Sequence, residues 1–295
     1  MRRLALALIT SLLGAALFAG AADARTVVRH NAESASQVRH YWTADRMRNA
    51  VPLGPVQLAG PPSLKGKPGG GGGSSSVEVT VPPGSVLTAH GKVFFTAGST
   101  NYVCSGTALA GDVVWTAGHC VNEGPGVFYT NFLFVPAYRD GTAPYGQFPA
   151  STLLSTGGWR LSGQFGVDVG AAVPSTNAAG QTLSEAVVER TIVFGAARNQ
   201  SYSVYGYPAA KRFSGQRLRV CNTAWSRDDT SATPATMGVP CDMTGGSSGG
   251  GWVTSTGSVA SVVSYGYSSL KNVLFGPHLE TEAQQLYNDA VAATP

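Results

Sequence analysis

Nine short runs rich in β-branched and aromatic residues punctuate the chain from residue 77 onward: 77–81, 92–96, 112–116, 127–138, 168–173, 187–194, 201–207, 217–220 and 252–265. Gly, Pro, Asn and Ser fill the intervals between them. Such runs are strand-sized, and the turn residues between them break any helical period. Many short strands at this spacing predict an all-β sandwich or barrel. The 38 glycines suit the turns, and a 43% hydrophobic content can fill a core. The exception is the end of the chain. Leu279, Ala283, Leu286, Tyr287, Ala290 and Val291 fall at helical spacing, which predicts one C-terminal α-helix.

The N-terminal quarter has a different texture. Arg2 and Arg3 precede an apolar run over 4–18, and Ala22-Asp23-Ala24 follows as an A-x-A cleavage site. This is the pattern of a secretory signal peptide over 1–24, and the run is short for a membrane span. A secreted location without a membrane anchor is therefore expected. Residues 25–68 contain a helix-compatible stretch at 41–50 and prolines at 52, 55, 61, 62 and 68. The Gly/Ser run that follows, to Ser76, reads as a flexible linker and marks a boundary. Residues 25–76 thus read either as a propeptide-like segment or as a dispensable disordered stalk, with the main domain over 77–295.

Charge divides along the same boundary. Residues 25–76 carry Arg25, Arg29, Arg39, Arg46, Arg48, Lys65 and Lys67 against Glu33 and Asp45, a balance of +5. Residues 77–295 carry 11 basic and 13 acidic side chains, a balance of −2. The basic surplus is thus expected outside the folded region, which argues against a nucleic-acid partner. Four cysteines, Cys104, Cys120, Cys221 and Cys241, suggest two disulfides with three possible pairings. The C-x-x-C spacing usual for zinc is missing, so no metal and no other cofactor is expected.

A serine becomes nucleophilic when a base takes its proton and a third group orients that base. The run Thr244-Gly245-Gly246-Ser247-Ser248-Gly249-Gly250-Gly251-Trp252 places Ser248 in a glycine-rich turn between Cys241 and a β-branched run. His119 lies in Thr116-Ala117-Gly118-His119-Cys120, and Asp168 lies in the apolar stretch Val167-Asp168-Val169-Gly170-Ala171. A carboxylate there needs a partner, which an imidazole N–H would supply. Asp112 lies close before His119, Asp140 sits in a Gly/Pro-rich loop, and the Asp228-Asp229 pair suits solvent.

The T-A-G-H-C segment resembles the histidine motif of trypsin/chymotrypsin-type serine peptidases, and Gly166-Val167-Asp168-Val169-Gly170-Ala171 resembles the family's D-I-A-L segment. Cys241-Asp242-Met243-Thr244-Gly245-Gly246-Ser247-Ser248-Gly249 is similar to the C-D-x-x-G-G-x-S-G pattern of bacterial V8-like and glutamyl endopeptidases. The order His119, Asp168, Ser248 is also that of the trypsin type. The resemblance implies two six-stranded antiparallel β-barrels of chymotrypsin-like form with a C-terminal helix beside the second barrel, and a Cys104–Cys120 disulfide. It implies a serine endopeptidase with a His119/Asp168/Ser248 triad and an oxyanion hole from the N–H groups of Gly246 and Ser248. Ser264-Tyr265-Gly266 resembles the edge that holds an extended polypeptide substrate, and Asp242 occupies a specificity position. A monomer is expected.

The sequence also departs from the family it resembles. Ser247 replaces the acid that answers a freed N-terminus in animal digestive enzymes, so activation must work differently. Asp242 reads better as a structural acceptor than as a trap for basic side chains. Val263 stands where glutamyl enzymes use a histidine to bind the substrate carboxylate, so Glu specificity does not carry over unless His278 takes that part. Two other functions fit the same residues: a non-catalytic peptide-binding protein on this fold, and an esterase whose G-x-S-x-G turn leads into a helix.

Overall fold

The computed structural model describes residues 25–59, 64–65 and 74–295. The signal peptide expected over 1–24 and most of the Gly/Ser linker lie outside the described residues. Among the described residues, no helix is long and apolar enough to cross a membrane.

The N-terminal segment is folded. It comprises strand β1 (Val27–His30), helices α1 (Ala35–Tyr41) and α2 (Ala44–Asn49), and short strands β2 (Val51–Pro52), β3 (Val56–Leu58) and β4 (Leu64–Lys65). Ser34 caps α1 by accepting from the Gln37 N–H, and the Gln37 side chain reciprocally accepts from the Ser34 N–H. Thr43 caps α2 by accepting from the Arg46 N–H. The helical stretch expected at 41–50 holds α2, whereas α1 precedes it, ends at Tyr41 and is separated from α2 where Thr43 takes an extended backbone.

Strand β5 (Val77–Glu78) opens the remainder of the chain. The first barrel contains β6 (His90–Ala97), β7 (Thr100–Leu109), β8 (Val113–Thr116), β9 (Thr130–Pro136), β10 (Phe148–Ser155) and β11 (Gly170–Pro174). They pair antiparallel in the order β10-β11-β8-β7-β6-β9, and Phe148 opposite Phe134 closes the ring. Helix α3 (Gly157–Ser162) joins β10 to β11, and α4 (Leu183–Ala186) begins the crossover to the second half.

The second half contains β12 (Ser201–Gly206), β13 (Arg219–Ala224), β14 (Arg227–Asp229), β15 (Thr236–Pro240), β16 (Gly251–Thr254), β17 (Val259–Val262), β18 (Tyr265–Tyr267) and β19 (Leu270–Gly276). They form two sheets, β17-β16-β12-β13-β5 and β3-β18-β19-β15-β14-β4. Val204, Met237, Val239, Trp252 and Leu274 fill one core from both sheets. The architecture is all-β and chymotrypsin-like.

The last element, α5 (Thr281–Ala292), requires a correction to its expected position. It packs mainly on β8, β10 and β11 of the first barrel, and not mainly on the second. Its apolar face, Ala283, Leu286 and Ala290, is buried in the first barrel's core, and the Tyr287 hydroxyl donates to the Ala110 carbonyl at 2.8 Å.

Residues 25–59 are also part of this body. β1 extends the first sheet along β10, with Val28 opposite Leu154. Val38, Trp42 and Met47 are buried against Phe94, Val103, Leu133 and Tyr138. The basic surplus therefore does not lie wholly outside the folded region. Arg29 donates to the Phe128 carbonyl at 2.8 Å and Arg39 to the Thr176 carbonyl at 3.1 Å.

Candidate active site

The residues singled out in sequence meet in the cleft between the two halves. Antiparallel pairing of β11 with β8 sets Gly170 opposite Thr116. Both strands run into tight turns at this end, which places Asp168 beside the Gly118–Cys120 turn that carries His119. Gly118 is needed for the approach. A β-carbon there would lie 2.5 Å from the Trp159 ring and 2.9 Å from Asp168 Oδ1. The Cys104–Cys120 disulfide ties this turn to β7.

Asp168 is fully buried and has three donors. Its Oδ1 accepts the His119 backbone N–H at 2.8 Å. Its Oδ2 accepts from His119 Nδ1 at 2.7 Å and from the Ser264 hydroxyl at 2.5 Å. Three hydrogen bonds answer the desolvation cost of a carboxylate in this setting. They also fix the imidazole with Nδ1–H on the acid, so Nε2 is left as the basic nitrogen.

Ser248 lies in the loop between β15 and β16, which the Cys221–Cys241 disulfide ties to β13. Gly246 adopts φ +95°, a left-handed conformation that a side chain would strain. The Ser247 N–H donates to the Thr244 carbonyl at 3.1 Å, and Ser105 donates its hydroxyl to the Gly246 carbonyl at 2.8 Å. These contacts turn the Gly246 N–H outward into the cleft. Among the described residues, neither His119 Nε2 nor Ser248 Oγ has a hydrogen-bond partner, although both are buried. Both lie within 3.0 Å of the point where a β-carbon on Gly54 would stand. A strand, β16, follows this loop. The esterase reading required a helix there, so it is excluded.

The expected substrate edge, Ser264-Tyr265-Gly266, borders the same cleft. Sequence reasoning missed its support. Asp229, expected in solvent, is fully buried and accepts from the Tyr265 and Tyr267 hydroxyls, each at 2.6 Å. Burial works against its ionisation, but donors from Ser231, Tyr265 and Tyr267 outweigh burial and hold its carboxyl below the ordinary value. Burial and the Asp229 carboxylate push the Tyr265 hydroxyl well above its ordinary range, so it remains a donor.

Asp242 lines a cavity of about 790 Å³ beside the serine loop, together with Met243, Lys211 and Lys271. Its Oδ1 accepts the Ser76 N–H at 2.8 Å, and its Oδ2 pairs with Arg212. Both oxygens are engaged. His278 is bound elsewhere, to Glu280 through Nδ1 and to the Ala196 carbonyl through Nε2. It does not replace the histidine that Val263 displaces. Two groupings of potential metal ligands, Cys104/His119/Cys120 and Cys221/Cys241/Asp242, each have both sulfurs in a disulfide.

No family model matches the chain, and no curated protein matches its sequence. Solved structures do. The protease Anisep from Arthrobacter nicotinovorans is 45% identical at TM-score 0.67, covering 70% of this chain and 97% of its own. The thermostable serine protease AL20, from an extremophilic microorganism, is 40% identical at TM-score 0.66, covering 70% of this chain and 99% of its own. A Glu endopeptidase shares the fold at 22% identity and TM-score 0.63, covering 75% and 98%. A neighbour 45% identical over nearly its whole length does not share only an architecture. The chain belongs to the trypsin/chymotrypsin-type serine peptidases, alongside their bacterial V8-like members, and is a serine endopeptidase.

Proposed function

We propose that this protein is a secreted endopeptidase that hydrolyses peptide bonds through Ser248, His119 and Asp168. In this reading Ser248 Oγ attacks the carbonyl carbon of the substrate while His119 Nε2 takes the hydroxyl proton. The Gly246 and Ser248 N–H groups receive the oxyanion of the tetrahedral intermediate. Collapse of the intermediate breaks the C–N bond, and the amine leaves with the proton returned from His119. Water then repeats the sequence on the acyl-enzyme, and Asp168 steadies the imidazolium in both halves.

The observation that carries this reading is His119. Its Nδ1 is held by a buried, three-donor carboxylate, and its Nε2 and Ser248 Oγ share one small space. Ser264, Tyr265 and Gly266 form the edge on which an extended polypeptide would lie. The engaged state of Asp242 supports a structural role for it over attraction of a basic side chain. Residues 1–24 act as the signal peptide, 25–76 as a pro-segment and 77–295 as the peptidase domain, working as a monomer. Two disulfides fit an oxidising extracellular setting.

The test is a fluorophosphonate probe on the secreted protein, with and without Ser248→Ala. Labelling at Ser248 and cleavage of a diverse peptide library are expected, and the variant should lose both. Peptidase activity should fall by about 10⁴-fold or more. A processed wild-type protein that binds peptides on the Ser264 edge without labelling or cleaving them would be a binding protein instead.

A further inference from the structure

The cleft of the intact chain is occupied by the chain itself. Residues 51–58 run from one lip to the other. On the first lip, β2 lies parallel to β7, with Pro52 opposite Val103, and the Leu53 N–H donates to the Val103 carbonyl at 3.0 Å. At the centre, the Leu53 carbonyl accepts the Gly246 N–H at 2.8 Å, so it occupies one of the two donors assigned to the oxyanion. Gly54 comes next, at φ +49°. A β-carbon there would stand 2.4 Å from Ser248 Oγ and 3.0 Å from His119 Nε2. On the second lip, the Val56 N–H donates to the Ser264 carbonyl at 3.3 Å. β3 then lies parallel to β18, with Gln57 opposite Gly266 and Leu58 opposite Tyr267.

We propose that residues 51–58 are a built-in inhibitor, which holds the uncleaved protein latent by filling the substrate cleft in the reverse direction. The inference rests on the catalytic reading above and names how that site is regulated. Both ladders are parallel, whereas a strand added to a lip in the more stable antiparallel sense would run the other way. A substrate laid antiparallel on β18 enters along that edge and leaves along β7. The segment enters along β7 and leaves along β18. It therefore satisfies the hydrogen-bonding groups of both lips with the order of its own groups inverted, as an occupant and not as a substrate.

Two features make this occupancy durable. Gly54 is the residue that lets the backbone pass between the nucleophile and the base, since any side chain would collide with Ser248 Oγ and crowd His119 Nε2. The flanking helices anchor the segment through Trp42, Val38 and Met47, buried on the first barrel. A tethered segment acts at the millimolar effective concentrations of a short linker, so it excludes substrate without strong intrinsic affinity. The chain between residues 59 and 74 is where a cut would sever this tether from the peptidase half.

The test uses the secreted full chain, sampled as processing proceeds, with a fluorophosphonate probe and electrophoresis to separate uncleaved from processed protein. The uncleaved wild-type band is expected to label about 100-fold more slowly than the processed band, in line with a tethered competitor. In Gly54→Val, the uncleaved band is expected to label at a rate approaching that of processed protein, because the side chain expels the segment. Uncleaved wild type labelling as fast as processed protein overturns the proposal, and this comparison does not depend on how the variant folds. A processed band that never labels overturns the catalytic reading instead.

Discussion

Asp168 shows what one residue's surroundings disclose. In the sequence it is a carboxylate inside an apolar run, which demands partners, and His119 supplies two of its three donors. The third, Ser264, lies 96 residues further along and was legible only as an edge residue. Asp229 misled for the opposite reason. Two adjacent acids look solvated, and its tyrosine partners are 36 and 38 residues away on another strand. Local polarity does not reveal a long-range donor. Glu189 carries a prediction at this scale. Burial, and then the nearby Asp112 carboxylate, raise its carboxyl from 4.5 to about 7. Folded protein thus binds a proton that unfolded protein releases. The stability this contributes is full below pH 4.5 and is lost as pH rises through about 7. Glu189→Gln should flatten the fall in Tm between pH 5 and 7 and leave the variant more stable than wild type above it. Coincident Tm–pH profiles for the two proteins would refute this account.

At the scale of elements, the runs that alternate cleanly are strands, while several strands hid behind interrupting residues. β7, in Thr100–Leu109, carries Asn, Ser and Gly among its apolar residues and gave no such run. Residues 187–194 erred the other way. They are β-branched but serve as the crossover between the halves, bridging to a strand only at Arg190 and Ile192. The Arg190 side chain is spent on His90 and the Gly257 carbonyl, which fixes the crossover without a ladder. The helical stretch before the linker was visible, but its docking was not, because burial of Trp42 depends on Phe94 and Leu133 in distant strands. Trp42 is 2% exposed, and its indole N–H donates to the Asn131 carbonyl at 2.6 Å. Trp42→Ala should therefore destabilise the uncleaved chain by about 3–5 kcal/mol. Denaturant unfolding of uncleaved protein, in a Ser248→Ala background to prevent self-processing, measures this directly. Equal unfolding midpoints with and without Trp42 would mean that the helices rest on the barrel without stabilising it.

At the scale of the whole molecule, the site exists only where the halves meet. His119 and Asp168 come from the first half, Ser248 and Ser264 from the second, so the proposed mechanism requires each turn to hold its place relative to the other. The two disulfides sit at those turns. Cys104–Cys120 joins β7 to the residue after His119, and Cys221–Cys241 joins β13 to the start of the serine loop. Cysteine number alone allowed three pairings, and the resemblance at Cys120 favoured the first of these bridges. Their sequence separations of 16 and 20 make each loop closure worth about 3 kcal/mol in the chain-entropy model. For a protein of this size, that corresponds to a Tm lower by roughly 6–12 °C for each bridge removed. The bridges should differ in what else they change. Without Cys104–Cys120 the His119 turn loosens against Asp168, so kcat should fall while KM changes little. Without Cys221–Cys241 the loop that lines the cavity with Asp242 and Met243 loosens, so KM should rise as well. Paired Cys→Ala variants, compared by calorimetry and peptide hydrolysis, separate these effects. The same loss of kcat and KM from both would show that the bridges act only on global stability, not on the two turns they join.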